Sequence, residues 1–92
     1  MIECKTTMAR EGDQVIVVLQ RGFVATGKYS QVGDYGQLCQ AAIVRRWGTT
    51  KGLGELASNG PLKDTKLDPC PPISFHIREA VMIMECDQNA WE

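Results

Sequence analysis

Val15-Ile16-Val17-Val18-Leu19 is an unbroken aliphatic run, bounded by Gly12-Asp13 before it and Gly22 after it. It is too short for a typical helix and is rich in β-branched side chains, so it reads as a buried strand. Working outward, Arg21-Gly22 suits a tight turn or a bulge, and Phe23-Val24-Ala25-Thr26-Gly27-Lys28-Tyr29 follows as a second strand. Gly27 marks a further kink or bulge in it. Val32-Gly33-Asp34-Tyr35-Gly36 carries the glycine and aspartate of a turn, and Gln37 to Val44 returns as a third strand. The section therefore reads as an antiparallel meander with short connections.

Leu53-Gly54-Glu55-Leu56-Ala57 changes the period: Leu53, Leu56 and Ala57 share one helical face while Glu55 points elsewhere. Thr49 or Thr50 is positioned to cap this helix, and Asn59-Gly60-Pro61 to end it. Leu62 to Pro72 is proline-rich and reads as an ordered surface loop or an extended edge. Ile73-Ser74-Phe75-His76-Ile77 alternates, which turns Ile73, Phe75 and Ile77 inward and His76 outward. Ala80 to Cys86 is the final strand. Both of its faces are apolar, so it is either central or covered on one side by a second subunit. The expected fold class is α+β, mainly β. It is a small antiparallel barrel or sandwich of five to six strands, with one short helix across an edge or mouth and residues 1–92 as a single domain.

The 92-residue chain is 43% hydrophobic, enough for one modest core, and small domains commonly gain stability by oligomerising. A homo-oligomer is expected. Ten Lys and Arg against eleven Asp and Glu leave a net charge of −1. That balance argues against non-specific duplex nucleic acid as a partner, so any anion site is local. No apolar run approaches the ~18 residues of a membrane span. Met1-Ile2-Glu3-Cys4-Lys5 lacks the features of a signal peptide, so no membrane partner and a cytoplasmic location are expected. Cys4, Cys39, Cys70 and Cys86 form no close pair and read as free thiols; with His76 as the one histidine, no metal site is expected.

The stretch best equipped to recognise a ligand is Arg45-Arg46-Trp47-Gly48-Thr49-Thr50-Lys51-Gly52-Leu53-Gly54. It holds three cations, an indole, two hydroxyls and three glycines in ten residues. Its spacing is not that of a nucleotide-triphosphatase loop. Backbone N–H groups of a glycine-rich turn attract anions, arginines hold phosphate in a bidentate manner, and an indole offers a stacking face. Arg45, Arg46, Trp47, Thr49, Thr50 and Lys51 are therefore the candidate binding residues. The competing reading has Trp47 closing the core while Arg45 and Arg46 form salt bridges across the sheet. His76 has no evident nucleophile beside it in sequence, and a Cys39–His76 dyad has little to support it. Asp64, Asp68 and Glu79 are explained by turn chemistry and surface charge. No catalytic residue and no cofactor are expected, and the chain does not read as an enzyme.

The order of elements resembles a family of short phage and prophage proteins of unassigned function. The likeness rests on Gln40-Ala41, Trp47-Gly48, Leu53-Gly54-Glu55-Leu56-Ala57 and Gly60, then Ile77-Arg78-Glu79-Ala80-Val81-Met82-Ile83 and Trp91, and spans roughly residues 14–92. The chain departs from the family pattern at Arg45 and Arg46, which fall several positions later, and at Thr49-Thr50-Lys51, which replaces alanines and glycine. The resemblance implies a mobile-element origin, a location in the bacterial host cytoplasm and an accessory role. Two functions are compatible with these readings. One is a non-enzymatic binding protein for a small anionic or nucleotide ligand or a host factor, including a sequestering anti-defence role. The other is an assembly module acting through self-association alone, for which the apolar last strand and Trp91 are the natural surface. Trp91 either packs back on its own domain or anchors a neighbouring chain.

Overall fold

A computed structural model describes residues 12–48 and 52–91. The chain runs β1 (Gln14–Leu19), a 3-10 turn (Gln20–Gly22), β2 (Val24–Val32), β3 (Tyr35–Arg46), α1 (Leu53–Asn59), β4 (Lys66–Pro69), β5 (Ile73–His76), a second 3-10 turn (Ile77–Glu79) and β6 (Ala80–Glu85). One six-stranded antiparallel sheet has the order β4-β3-β2-β1-β6, with β5 also on β3. β4 and β5 lie end to end along that strand, β5 on Tyr35–Leu38 and β4 on Ala42–Arg46. The fold is the mainly β, one-helix domain expected, and the proline-rich segment is an extended edge.

The meander has the expected punctuation. Val32 pairs with Tyr35, which leaves Gly33-Asp34 as a two-residue hairpin loop, with Gly33 at φ 58°. A glycine at the first loop position suits a II′ turn, whose twist matches the strands it joins. The irregularity at Gly27 belongs to the neighbouring strand. Thr26 pairs with Ala42 and Lys28 with Cys39, so β3 holds the extra residue, and Gln40 sits there at φ 51°. The bulge folds onto Gly27, where a Cβ would lie 2.8 Å from Leu38 Cβ and 3.0 Å from the Cys39 carbonyl oxygen. Glycine is required there by close approach of the partner backbone.

The sheet is open at both ends, yet it must curl. β5 and β6 are separated by four neighbour steps through β3, β2 and β1. In a flat sheet that is ~19 Å at the usual strand spacing. The link from His76 to Ala80 spans at most ~14 Å fully extended, and it is coiled. The two edges therefore approach each other at this end, with the chain crossing the gap.

Inside the curl, Val15, Val17, Ala25, Tyr29, Leu38, Ala41 and Phe75 form one buried cluster, joined by Ile77 and Ala80 from the crossing segment. On the other face Ile16, Val24, Val44 and Cys86 pack with Leu53, Leu56 and Ala57 of the helix. The alternation of β1 thus feeds two cores, which is why every residue from Val15 to Val17 is buried. The helix covers a sheet face rather than an edge or mouth. Its N-cap is Gly52, with no side-chain capping bond, where sequence pointed to Thr49 or Thr50; those two threonines lie outside the described residues. Gly60 ends it as expected, its N–H donating to the Leu56 carbonyl at 2.9 Å.

The tail closes this second core. The Asp87 N–H and the Trp91 indole N–H both donate to the Ala57 carbonyl, at 2.9 Å and 3.1 Å, satisfying an acceptor in the last turn of the helix. Trp91 packs back on its own domain against this cluster. The Gln88 side-chain amide accepts from the Gln14 N–H at 2.7 Å and donates to the Gln14 carbonyl at 3.2 Å, prolonging the β1–β6 ladder. Among the described residues β6 is an edge strand beside β1 and not a central one.

Among the described residues Cys39, Cys70 and Cys86 are free thiols, exposed, half-buried and buried respectively. Burial pushes the Cys86 thiol from 9.0 up to about 12, and raises the Tyr29 hydroxyl as well. Each group's folded-state pKa is raised, so its contribution is complete below the unfolded value. Above that value the unfolded chain releases a proton that the folded chain keeps, and stability falls. The expected result is an alkaline loss of melting temperature between pH 9.0 and about 12, reduced in slope by Cys86→Ala. Parallel melting curves for the two proteins over this pH range would refute the assignment to Cys86.

Candidate anion-binding site

The site residues stand where β3 leaves the sheet. Val44 pairs with Leu67 and Arg46 with Lys66, so Arg45 is the extra residue of a bulge. Its Nε lies 3.2 Å from Asp68 Oδ2, with the two side chains 66% and 51% exposed. A pair this wet contributes only ~0–1 kcal/mol and is easily exchanged for another anion. Arg46 directly faces Lys66 across the ladder, both exposed, and neither makes an ion pair among the described residues. Like charges set opposite each other on a sheet repel.

Trp47 is 42% exposed, so it does not close the core as the competing reading expects, whereas the Arg45–Asp68 pair is one of the cross-sheet salt bridges of that reading. Its backbone is held instead. The Trp47 carbonyl accepts from the Thr65 hydroxyl at 2.7 Å, and that hydroxyl accepts from the Leu62 N–H at 2.9 Å. Gly48, at φ 68°, lets the chain press against the Asp64–Thr65 peptide. The indole edge reaches the helix start: a Cβ on Gly52 would stand 4.0 Å from Trp47 Cζ3.

The structure therefore brings Arg45, Arg46 and Trp47 to one corner, whereas Thr49, Thr50 and Lys51 lie outside the described residues. It adds Lys66, from the proline-rich segment. No local signal marks it, because it reaches Arg46 only through the β3–β4 pairing. Residues 45–48 and 61–69 together carry Arg45, Arg46, Lys63 and Lys66 against Asp64 and Asp68, an excess of two positive charges on a chain of net −1. Such a local field attracts anions even where the global balance does not.

The other titratable candidates are engaged locally. His76 Nδ1 accepts from the Arg78 N–H at 3.1 Å, capping the 3-10 turn, and its ring stands edge-on to Tyr35 with centroids 5.2 Å apart. Asp68 holds Arg45, while Asp64 and Glu79 are exposed. Among the described residues no three His, Cys, Asp or Glu side chains gather as a metal site would need, and no helix is long and apolar enough to cross a membrane. Comparison with protein-family models, with curated proteins and with solved structures gave no match to this chain.

Proposed function

We propose that this chain is a non-enzymatic binding protein for a small anionic ligand, with a nucleotide as the class that best suits the corner. Arg46 and Lys66 take the phosphate, Arg45 exchanges Asp68 for it, and the base stacks on Trp47. Thr49, Thr50 and Lys51, outside the described residues, are the further donors that the sequence offers. The proposal extends to an accessory role of mobile-element origin in the bacterial cytoplasm, including sequestration of a nucleotide signal. The observation that carries it is the Arg46–Lys66 juxtaposition beside a half-exposed indole. Like charges set opposite each other on a sheet repel, a cost that a bridging anion reverses. An exposed aromatic face next to them is the usual platform for a base.

A thermal-shift and titration panel of inorganic phosphate, nucleoside mono- and diphosphates and cyclic dinucleotides tests this reading. Nucleotides are expected to bind more tightly than phosphate and to quench Trp47 fluorescence in a Trp91→Phe background. Arg45→Ala, Arg46→Ala and Lys51→Ala should each weaken binding by roughly 1–3 kcal/mol, the scale of a charge-assisted hydrogen bond, with little change in stability. A panel with no binder, or full affinity retained in Arg46→Ala, would sink the proposal.

A further inference from the structure

We infer that β6 is a dimerisation strand, pairing antiparallel with β6 of a second copy of this chain. The two edges of the sheet are built differently. On one, β4 and β5 are four residues each, and Pro61, Pro69, Pro71, Pro72 and Lys66 stud the segment that carries them. Short strands, prolines and lysine are the ordinary means of keeping a sheet edge from pairing with another chain. β6 is six residues, Ala80-Val81-Met82-Ile83-Met84-Glu85, with no proline and no basic residue. Among the described residues it pairs with β1 alone. Its protective features are confined to exposed Glu85 at its end and the bulge at Val81, where the β1 register shifts between Val18 and Leu19.

That end of the strand is also apolar on the outside. Val81 is 56% exposed and Met82 46%. Leu19, which pairs with Ala80, donates its N–H to the Phe23 carbonyl at 2.7 Å, so Phe23, 62% exposed, belongs to the same end of the sheet. An edge strand that begins next to three exposed large side chains suits a partner that adds a strand. Charge favours one direction of pairing. Exposed Arg78 and Glu79 precede β6, and exposed Glu85 and Asp87 close its other end. Antiparallel pairing of two copies brings each Arg78 towards the Asp87 of the other, keeps the two acidic ends apart and meets apolar residues at the centre, whereas parallel pairing stacks the acidic ends on each other. The two-fold arrangement is closed and leaves no further edge of this kind exposed.

Light scattering and sedimentation from low to high micromolar concentration test the inference. The wild type should approach twice 10.2 kDa, and hydrogen exchange across residues 80–85 should slow as the dimer fills. Val81→Lys and Met82→Lys, at positions exposed in the single chain, should return a monomer with an unchanged circular dichroism spectrum. Arg78→Glu should raise the dimer Kd several-fold. A wild type that stays at 10.2 kDa throughout overturns the inference, as does a dimer that persists in both lysine variants. An Arg78→Glu protein with unaltered Kd overturns the antiparallel register.

Discussion

Leu56→Ala should cost about 2–5 kcal/mol, the range for emptying a fully buried leucine site. Leu56 has no exposed surface and packs in the cluster that joins the helix to Ile16, Val24 and Val44, with Trp91 closing one side. Its neighbours belong to β1, β2, β3 and the tail, elements pinned by their own hydrogen bonds, so the cavity cannot collapse easily. A chain of 92 residues has about 5–14 kcal/mol of stability in all, so this one change removes a large part of it. Chemical denaturation should show the loss as a lower midpoint at unchanged slope. Thermal melting should fall by about 4–8 °C for each kcal/mol. A loss below about 1 kcal/mol would mean that the helix is not integral to the second core.

Gly48→Ala is expected to be comparably severe for a different reason. The residue stands at φ 68°, a region that costs an L side chain about 1–2 kcal/mol. A Cβ there would also lie 2.3 Å from both the Asp64 carbonyl carbon and the Thr65 nitrogen, and neither is the end of a flexible side chain that could swing aside. Overpacking of this kind adds about 1–3 kcal/mol. Gly33→Ala is the control: φ is 58° there, but nothing lies within 4 Å of the added carbon. The Gly48 variant should therefore lose clearly more stability than the Gly33 variant and, on the proposed function, nucleotide affinity with it, since Trp47 and the Thr65 hydroxyl are positioned by the same contact. Equal losses in the two variants would show that backbone conformation alone, and not the packing of residues 64–65, sets the cost.

The proposed anion site and the proposed dimer edge are separable. Arg46 lies at the end of β3 on the β4 side, and β6 lies at the far edge beside β1. Lysine substitutions at Val81 and Met82 should leave nucleotide titrations unchanged, and Arg46→Ala should leave the mass in solution unchanged. Either function can therefore fail without the other.

Much of the fold follows from local chemistry. The Val15–Leu19 run, the Gly33-Asp34 loop, the Leu53, Leu56 and Ala57 face and the Gly60 stop each depend on residues close in sequence, and each stands where local rules put it. Long-range pairing is another matter. Nothing in Ala80–Cys86 distinguishes a central strand from an edge, because an apolar strand looks alike whether a neighbouring strand or another copy covers it. The route of the crossing segment from β5 to β6 decided that. Nor does Gly27 reveal that the extra residue lies across the ladder at Gln40–Ala41, since a bulge is a property of two strands. The same holds for the candidate site. Arg45, Arg46 and Trp47 are legible as a cluster because they are consecutive, and Trp91 is legible as an aromatic with two possible destinations. That Trp47 stays half-exposed, that Trp91 caps Ala57, and that Lys66 faces Arg46 all depend on contacts between distant segments, which residue order does not encode locally.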